Sequence, residues 1–163
     1  MLYYFLEEYP RFRKGSSMNE FRVSNPDFIQ TVKQSFSKRG LMRYLGASLD
    51  VIEPGYVSIS MQFSDDLTQQ QDYYHAGSLT SIVDSACGYA ALTLMPPSTE
   101  VLTIEFKVNF VAPAIGDRVV AHGRVVKPGS IITVCQGEVV AIQDGHEKVC
   151  AIMQATMLCR PMK

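Results

Sequence analysis

One short run, HAGSLTSIVDSACGYAALTLM from His75 to Met95, gathers groups that could do chemistry: a histidine, the small pair Ala76 and Gly77, and a single acid, Asp84, nine positions after the histidine. A carboxylate can serve as base or nucleophile. Backbone amides at the start of a helix can donate to an oxyanion. Together these are parts that acyl transfer or hydrolysis needs. Leu79, Ile82, Val83, Ala86, Cys87, Ala90, Ala91 and Leu94 recur at the spacing of one helix face, and the run holds no Lys or Arg, which predicts a buried helix. A carboxylate there is costly unless it is paired, hydrogen-bonded or used. Stepping three, four and seven positions from Asp84 reaches Ser81, Gly77 and Gly88, so it lies on a stripe of small residues. That stripe either admits a close-packed neighbour, with Asp84 only fixing the packing, or leaves a groove for substrate. His75 reads as a helix cap, an orienter of the loop, a substrate-shaping residue or a general base.

Other chemistries lose support. The sequence has no GxSxG, GxxxxGK[ST], GxGxxG or HExxH pattern. Its four cysteines, Cys87, Cys135, Cys150 and Cys159, form no CxxC pair and sit in apolar or strand-like segments, so buried free thiols are expected and no metal. A net charge of −1 over 163 residues makes no electrostatic case for nucleic acid. No apolar run approaches the roughly 20 residues that cross a bilayer, and Met1 to Leu6 is too short for a secretory apolar core. The expectation is a cytoplasmic protein with no membrane partner.

The elements that must position Asp84 follow from pattern. Residues 1–17 read as an N-terminal extension and 18–163 as a single domain. Ser24 or Asn25 can cap a first helix with Pro26 in its first turn, Phe28, Ile29, Val32 and Phe36 as its apolar stripe and Gly40 as its stop, followed by a short amphipathic piece, Leu41 to Leu45. Tyr56 to Phe63 alternates as a half-buried strand, with Ser58, Ser60 and Gln62 outward. After Pro96 and Pro97 stop the long helix, Val101 to Val111, Arg118 to Val126, Ile131 to Ile142 and Lys148 to Leu158 read as strands, with turns at Lys127 to Ser130 and at Asp144–Gly145. This is an α+β domain: a curved antiparallel sheet of about six strands wrapped around one long central helix. One helix cannot cover such a sheet, so self-association is expected.

The ordered segments DLTQQQDYYHAG, VDSACGYAAL and VLTIEFKVNFVAPAIGDRVVAHGRVVKPGS resemble the hotdog-fold acyl-CoA thioesterases of the phenylacetate-pathway type, over roughly Phe36 to the C-terminus. The resemblance implies a hydrolase that splits an acyl-CoA thioester into acid and CoA, with CoA as part of the substrate and no separate cofactor. It sets Asp84 on the catalytic acid, as base or nucleophile, and Ala76, with Gly77, on the amide that polarises the carbonyl, where many members have Gly. Gln69 falls where many relatives have Asn to place substrate or water, and Thr103 on the hydroxyl that holds the attacking water. Simple alternation places Thr103 on the strand face away from the helix, so a bulge or the dimer geometry has to reconcile it. The family's sites lie at the interface of a homodimer, which can pair further into a dimer of dimers. Arg118, Arg124, Lys127, Pro128 and Gly129 are the candidates to hold CoA. Two other readings stay open: a hotdog hydratase or dehydratase, which His75 fits less well, and a non-catalytic acyl-CoA-binding hotdog module. Tyr73, Tyr74, Tyr89 and Phe106 could line an acyl pocket or belong to the core.

Overall fold

The structure, a computed structural model, describes residues 21–38 and 40–162; the expected extension at 1–17 lies outside the described residues. Asn25 turns the chain into the first helix by accepting the Asp27 N–H on Oδ1 at 3.0 Å. That helix, α1 (Phe28–Ser37), starts later than expected, with Asp27 at its N-cap and no side-chain cap bond. Val32 is buried and Phe36 half-buried, while Ile29, expected on the stripe, is exposed. Gly40 does not simply stop α1; it opens the one-turn α2 (Gly40–Tyr44), which buries Met42.

The strands are β1 (Ala47–Glu53), β2 (Tyr56–Gln62), β3 (Thr99–Phe110), β4 (Arg118–Lys127), β5 (Ile132–Gln143) and β6 (His146–Pro161). They form one antiparallel sheet in the order β1-β2-β4-β5-β6-β3, so β1 and β3 are its edges. The chain is therefore a six-stranded sheet around a central helix, the hotdog arrangement. Asp144 and Gly145 both take positive φ, the two-residue turn expected between β5 and β6.

The long helix, α3 (Ala76–Leu92), lies on this sheet at backbone distance because two glycines leave room for it. Gly123 and Gly137 face each other across β4 and β5. A Cβ on Gly123 would stand 2.2 Å from the Ala86 carbonyl carbon, and one on Gly137 would stand 2.5 Å from Val83 Cγ2 and 2.9 Å from Cys87 Sγ. The helix ends before the prolines, at Thr93, whose hydroxyl donates to Ala90 O and accepts the Gly55 N–H, both at 2.7 Å. This ties the β1–β2 turn to the end of α3.

Two patterns differ from the alternation expected. Ser58 and Ser60 on β2 are buried along with Val57, Ile59 and Met61, so both faces of that strand are covered; Ser60 donates to Asp50 Oδ1 at 2.8 Å. On β3 the register with β6 slips between Thr103 and Glu105, a bulge that leaves Ile104 without a partner on β6. Leu102, Ile104, Phe106 and Phe110 are exposed along this edge strand.

Candidate active site

The slip in β3 decides where Thr103 points. Before it, Thr103 pairs with Met157, a fully buried residue of the helix-side face. Thr103 Oγ1 therefore reaches α3 and donates to Asp84 Oδ1 at 2.8 Å, with Met157 Sδ at 3.6 Å. The bulge thus removes the conflict that alternation created. Asp84 is half-buried.

Asp84 and Thr103 border a cleft of about 80 Å³ between α3 and β3, completed by Ser85, Gly88, Tyr89, Val101 and Leu102. Gly88, one turn after Asp84, keeps it open: a Cβ there would touch only Val101 Cγ1, at 3.9 Å. Tyr89, 1% exposed, forms the floor against Phe36, with ring centroids 5.8 Å apart. Of the aromatics expected at an acyl pocket, Tyr74 and Tyr89 are core residues, while Tyr73 and Phe106 are exposed.

At the start of α3, His75 caps the helix. Its Nδ1 accepts the Gly77 N–H at 2.8 Å, which makes it the N-cap of the helix and places its ring proton on Nε2. Gly77 is thereby removed as a free oxyanion donor, a correction to the expected pair. The Ala76 N–H makes no hydrogen bond to another described residue, as befits the first residue of a helix. Gln69 sits in a tight loop closed by its own N–H to Tyr73 O at 2.8 Å, and its Oε1 accepts from Gln71 N–H at 3.2 Å. No hydrogen bond among the described residues joins Gln69 to Asp84.

The candidates for holding CoA do not converge within one chain. Arg118 and Lys127 are the two ends of β4, roughly 30 Å apart at the usual rise of a strand. Arg124 pairs with Tyr56 on the face away from α3. Lys127, Pro128 and Gly129 do stay together at the β4–β5 turn, where Gly129 N–H approaches Thr133 Oγ1 at 3.4 Å.

Thiol chemistry is disfavoured. Cys87, Cys135 and Cys150 are buried and Cys159 half-buried, none in a disulfide. Burial pushes the Cys135 and Cys150 thiols up to about 12, and raises Cys87 with help from Cys135 and Asp84. No group of three His, Cys, Asp or Glu among the described residues is placed to hold a metal ion, and none of the described helices is long and apolar enough to cross a membrane.

Sequence reading missed one polar cluster, on the sheet face opposite α3. Ser58, His122 and Glu138 are consecutive register partners across β2, β4 and β5. The Tyr56 hydroxyl lies 2.8 Å from His122 Nδ1. Burial lowers the His122 pKa and raises that of Tyr56. Its signal in the sequence is only a strand register, which needs the pairing to be known.

Residues 71–148 match the model of the thioesterase superfamily. A thioesterase family protein from Silicibacter pomeroyi is 43% identical, over 82% of this chain and 98% of that one, with a TM-score of 0.81. The PaaI protein of the Escherichia coli phenylacetic acid degradation operon shares the fold at 17% identity, over 87% of this chain and 99% of that one, with a TM-score of 0.75. A thioesterase from Haemophilus influenzae likewise shares it at 15% identity, over 86% and 95% of the two chains, with a TM-score of 0.73.

Proposed function

The chain belongs to the thioesterase superfamily and is a hydrolase of thioesters, and from that premise we propose that it cleaves an acyl-CoA to the free acid and CoA, with Asp84 as the acid that activates water or attacks the thioester. The observation that carries this reading is the 2.8 Å bond from Thr103 to Asp84 at the cleft between α3 and β3. A hydroxyl that donates to one carboxylate oxygen fixes the orientation of the acid and leaves its second oxygen for the reaction. Water adds at the thioester carbonyl, the C–S bond breaks, and the proton from water ends on the departing CoA sulfur.

The oxyanion formed on the way needs a donor within about 3 Å. Ala76 and Asp84 are eight residues apart on one helix, about 12 Å along its axis, so the Ala76 amide cannot serve the Asp84 of its own chain. A second copy supplies it in this reading. The edge strand β3 is where that copy docks: a long apolar edge is an aggregation hazard unless paired, and its four exposed apolar side chains leave on the order of 300 Å² uncovered, the scale that marks an interaction surface. The protein is thus a homodimer of the phenylacetate-pathway type, open to further pairing. Lys127 and the β4–β5 turn are its contribution to CoA binding, and its unbridged thiols fit a reducing cytoplasm.

Asp84→Ala tests the assignment by release of CoA thiol. We expect turnover to fall at least about 100-fold, the scale of a positioned acid or base, with the dimer intact. Undiminished hydrolysis would sink it. Rapid quenching of a single turnover separates the two roles, because only a nucleophilic Asp84 becomes acylated, which adds the mass of the acyl group to the peptide that carries it.

A further inference from the structure

The bulge at the middle of β3 restricts how two copies of that edge can meet. Before it, Val101 and Thr103 face α3 and pair with Cys159 and Met157; after it, Phe106, Val108 and Phe110 do so and pair with Ala155, Met153 and Ala151. Glu100, Leu102, Glu105, Lys107 and Asn109 face the other side. The extra residue, Ile104, has moved the helix-side set from odd to even positions. Residues directly opposite each other in an antiparallel pair share a face. Two copies related by a twofold axis must therefore match an odd position with an even one wherever the pairing straddles the bulge.

With the two strands aligned end to end, this condition is met at every position outside the centre, where the bulged Ile104 lies opposite the partner's Glu105. Thr99 lies opposite the partner's Phe110, Val101 opposite the partner's Val108, and Thr103 opposite the partner's Phe106. A slide of one residue sets Thr103 against the partner's Glu105 or the partner's Lys107, on the wrong face. A slide of two sets Thr103 against the bulged residue, or Glu105 against the partner's Phe106. In its own chain Phe106 is 45% exposed and takes no part in the Asp84 cleft. Opposite a second copy's Thr103, its Cβ would be about 5 Å away, and its ring would close the open side of that copy's cleft.

We infer that two copies pair β3 in this end-to-end register, and that Phe106 of the partner subunit walls the Asp84 cleft and gauges the acyl group it accepts. The inference rests on the paired-edge reading above and adds to it a register and a specificity residue. The wall leaves a slot suited to a compact acyl group, and its removal opens the slot to bulkier ones.

Two double-cysteine variants read the register without reference to catalysis. Glu100→Cys with Asn109→Cys places thiols opposite each other in the proposed register, and Glu100→Cys with Lys107→Cys does so only after a slide of two. Under oxidised glutathione the first pair is expected to give a covalent dimer and the second to remain monomeric on a denaturing gel. Cross-linking by the second pair, or by neither, overturns the register. Phe106→Ala, checked for an intact dimer by light scattering, is then assayed with acetyl-, hexanoyl- and benzoyl-CoA. The ratio of kcat/KM for the bulky esters over acetyl-CoA should rise at least about 10-fold, the discrimination that a methylene or more of pocket space confers. An unchanged ratio refutes the gauge. If the wild-type chain hydrolyses none of these esters, the proposed substrate class has failed, and the cross-link still reports on the register.

Discussion

Replacing Ala76 with proline removes one backbone N–H and little else, which makes it a sharp probe of the oxyanion site. Ala76 is the first residue of α3, the helix position that accepts proline best. The residue before it, His75, has φ −66° and ψ 139°, the extended geometry that a following proline favours. The cap from Gly77 N–H to His75 Nδ1 and the bond from Thr80 Oγ1 to Ala76 O, each 2.8 Å, do not use the lost hydrogen. Folding should therefore change by less than about 1 kcal/mol, in either direction. If the Ala76 amide binds the oxyanion, its loss should cost about 2.7–4 kcal/mol of transition-state stabilisation, or 10²–10³ in kcat, with a much smaller effect on KM. Initial rates of CoA release, thermal melting and light scattering report these quantities, and Ala76→Gly, which keeps the N–H, is the control. A folded, dimeric Ala76→Pro protein within threefold of wild-type kcat would refute the reasoning.

Gly123→Ala should destabilise by about 3 kcal/mol, lowering Tm by roughly 6–12 °C, because its Cβ would meet helix backbone at 2.2 Å; a wild-type Tm would show that α3 is not seated on the glycines. For pH, burial holds the His122 pKa below its ordinary 6.5, against the opposing charges of Glu147 and Asp50. As pH falls below 6.5 the unfolded chain takes up this proton before the folded one, so the stability that neutral His122 contributes is lost as pH drops through the folded value. Urea midpoints should decline over that range, and His122→Gln should flatten the decline; an identical slope in the variant would remove His122 as the cause.

Parts of the candidate site are legible in the sequence. Asp84 stands out as the lone charge of an apolar helical run, and His75 as a residue suited to a cap, because both signals are local. Thr103 was legible by type but not by direction: VLTIEFKVNF alternates without a break, and the insertion of Ile104 shows only in the pairing with β6. β1 was missed because Asp50 interrupts a short apolar segment, whereas in the sheet that residue accepts from Ser60. The distance between Arg118 and Lys127 was not legible, since nearness in sequence becomes separation in an extended strand. Burial of Ser58 and Ser60 depends on what covers the outer face, which no window of β2 encodes.

The seventeen residues of α3 form a rigid rod with the amide at one end and the acid two turns along it, and in a dimer assembled as proposed each rod equips two different centres. Damage then segregates by parentage. A hybrid of one chain lacking Asp84 and one chain lacking the Ala76 N–H would concentrate both lesions in one centre and leave the other whole. Two inactive proteins, dissociated and reassociated at random, would form such hybrids in half of the pairs and recover about one quarter of wild-type activity, as isologous symmetry requires.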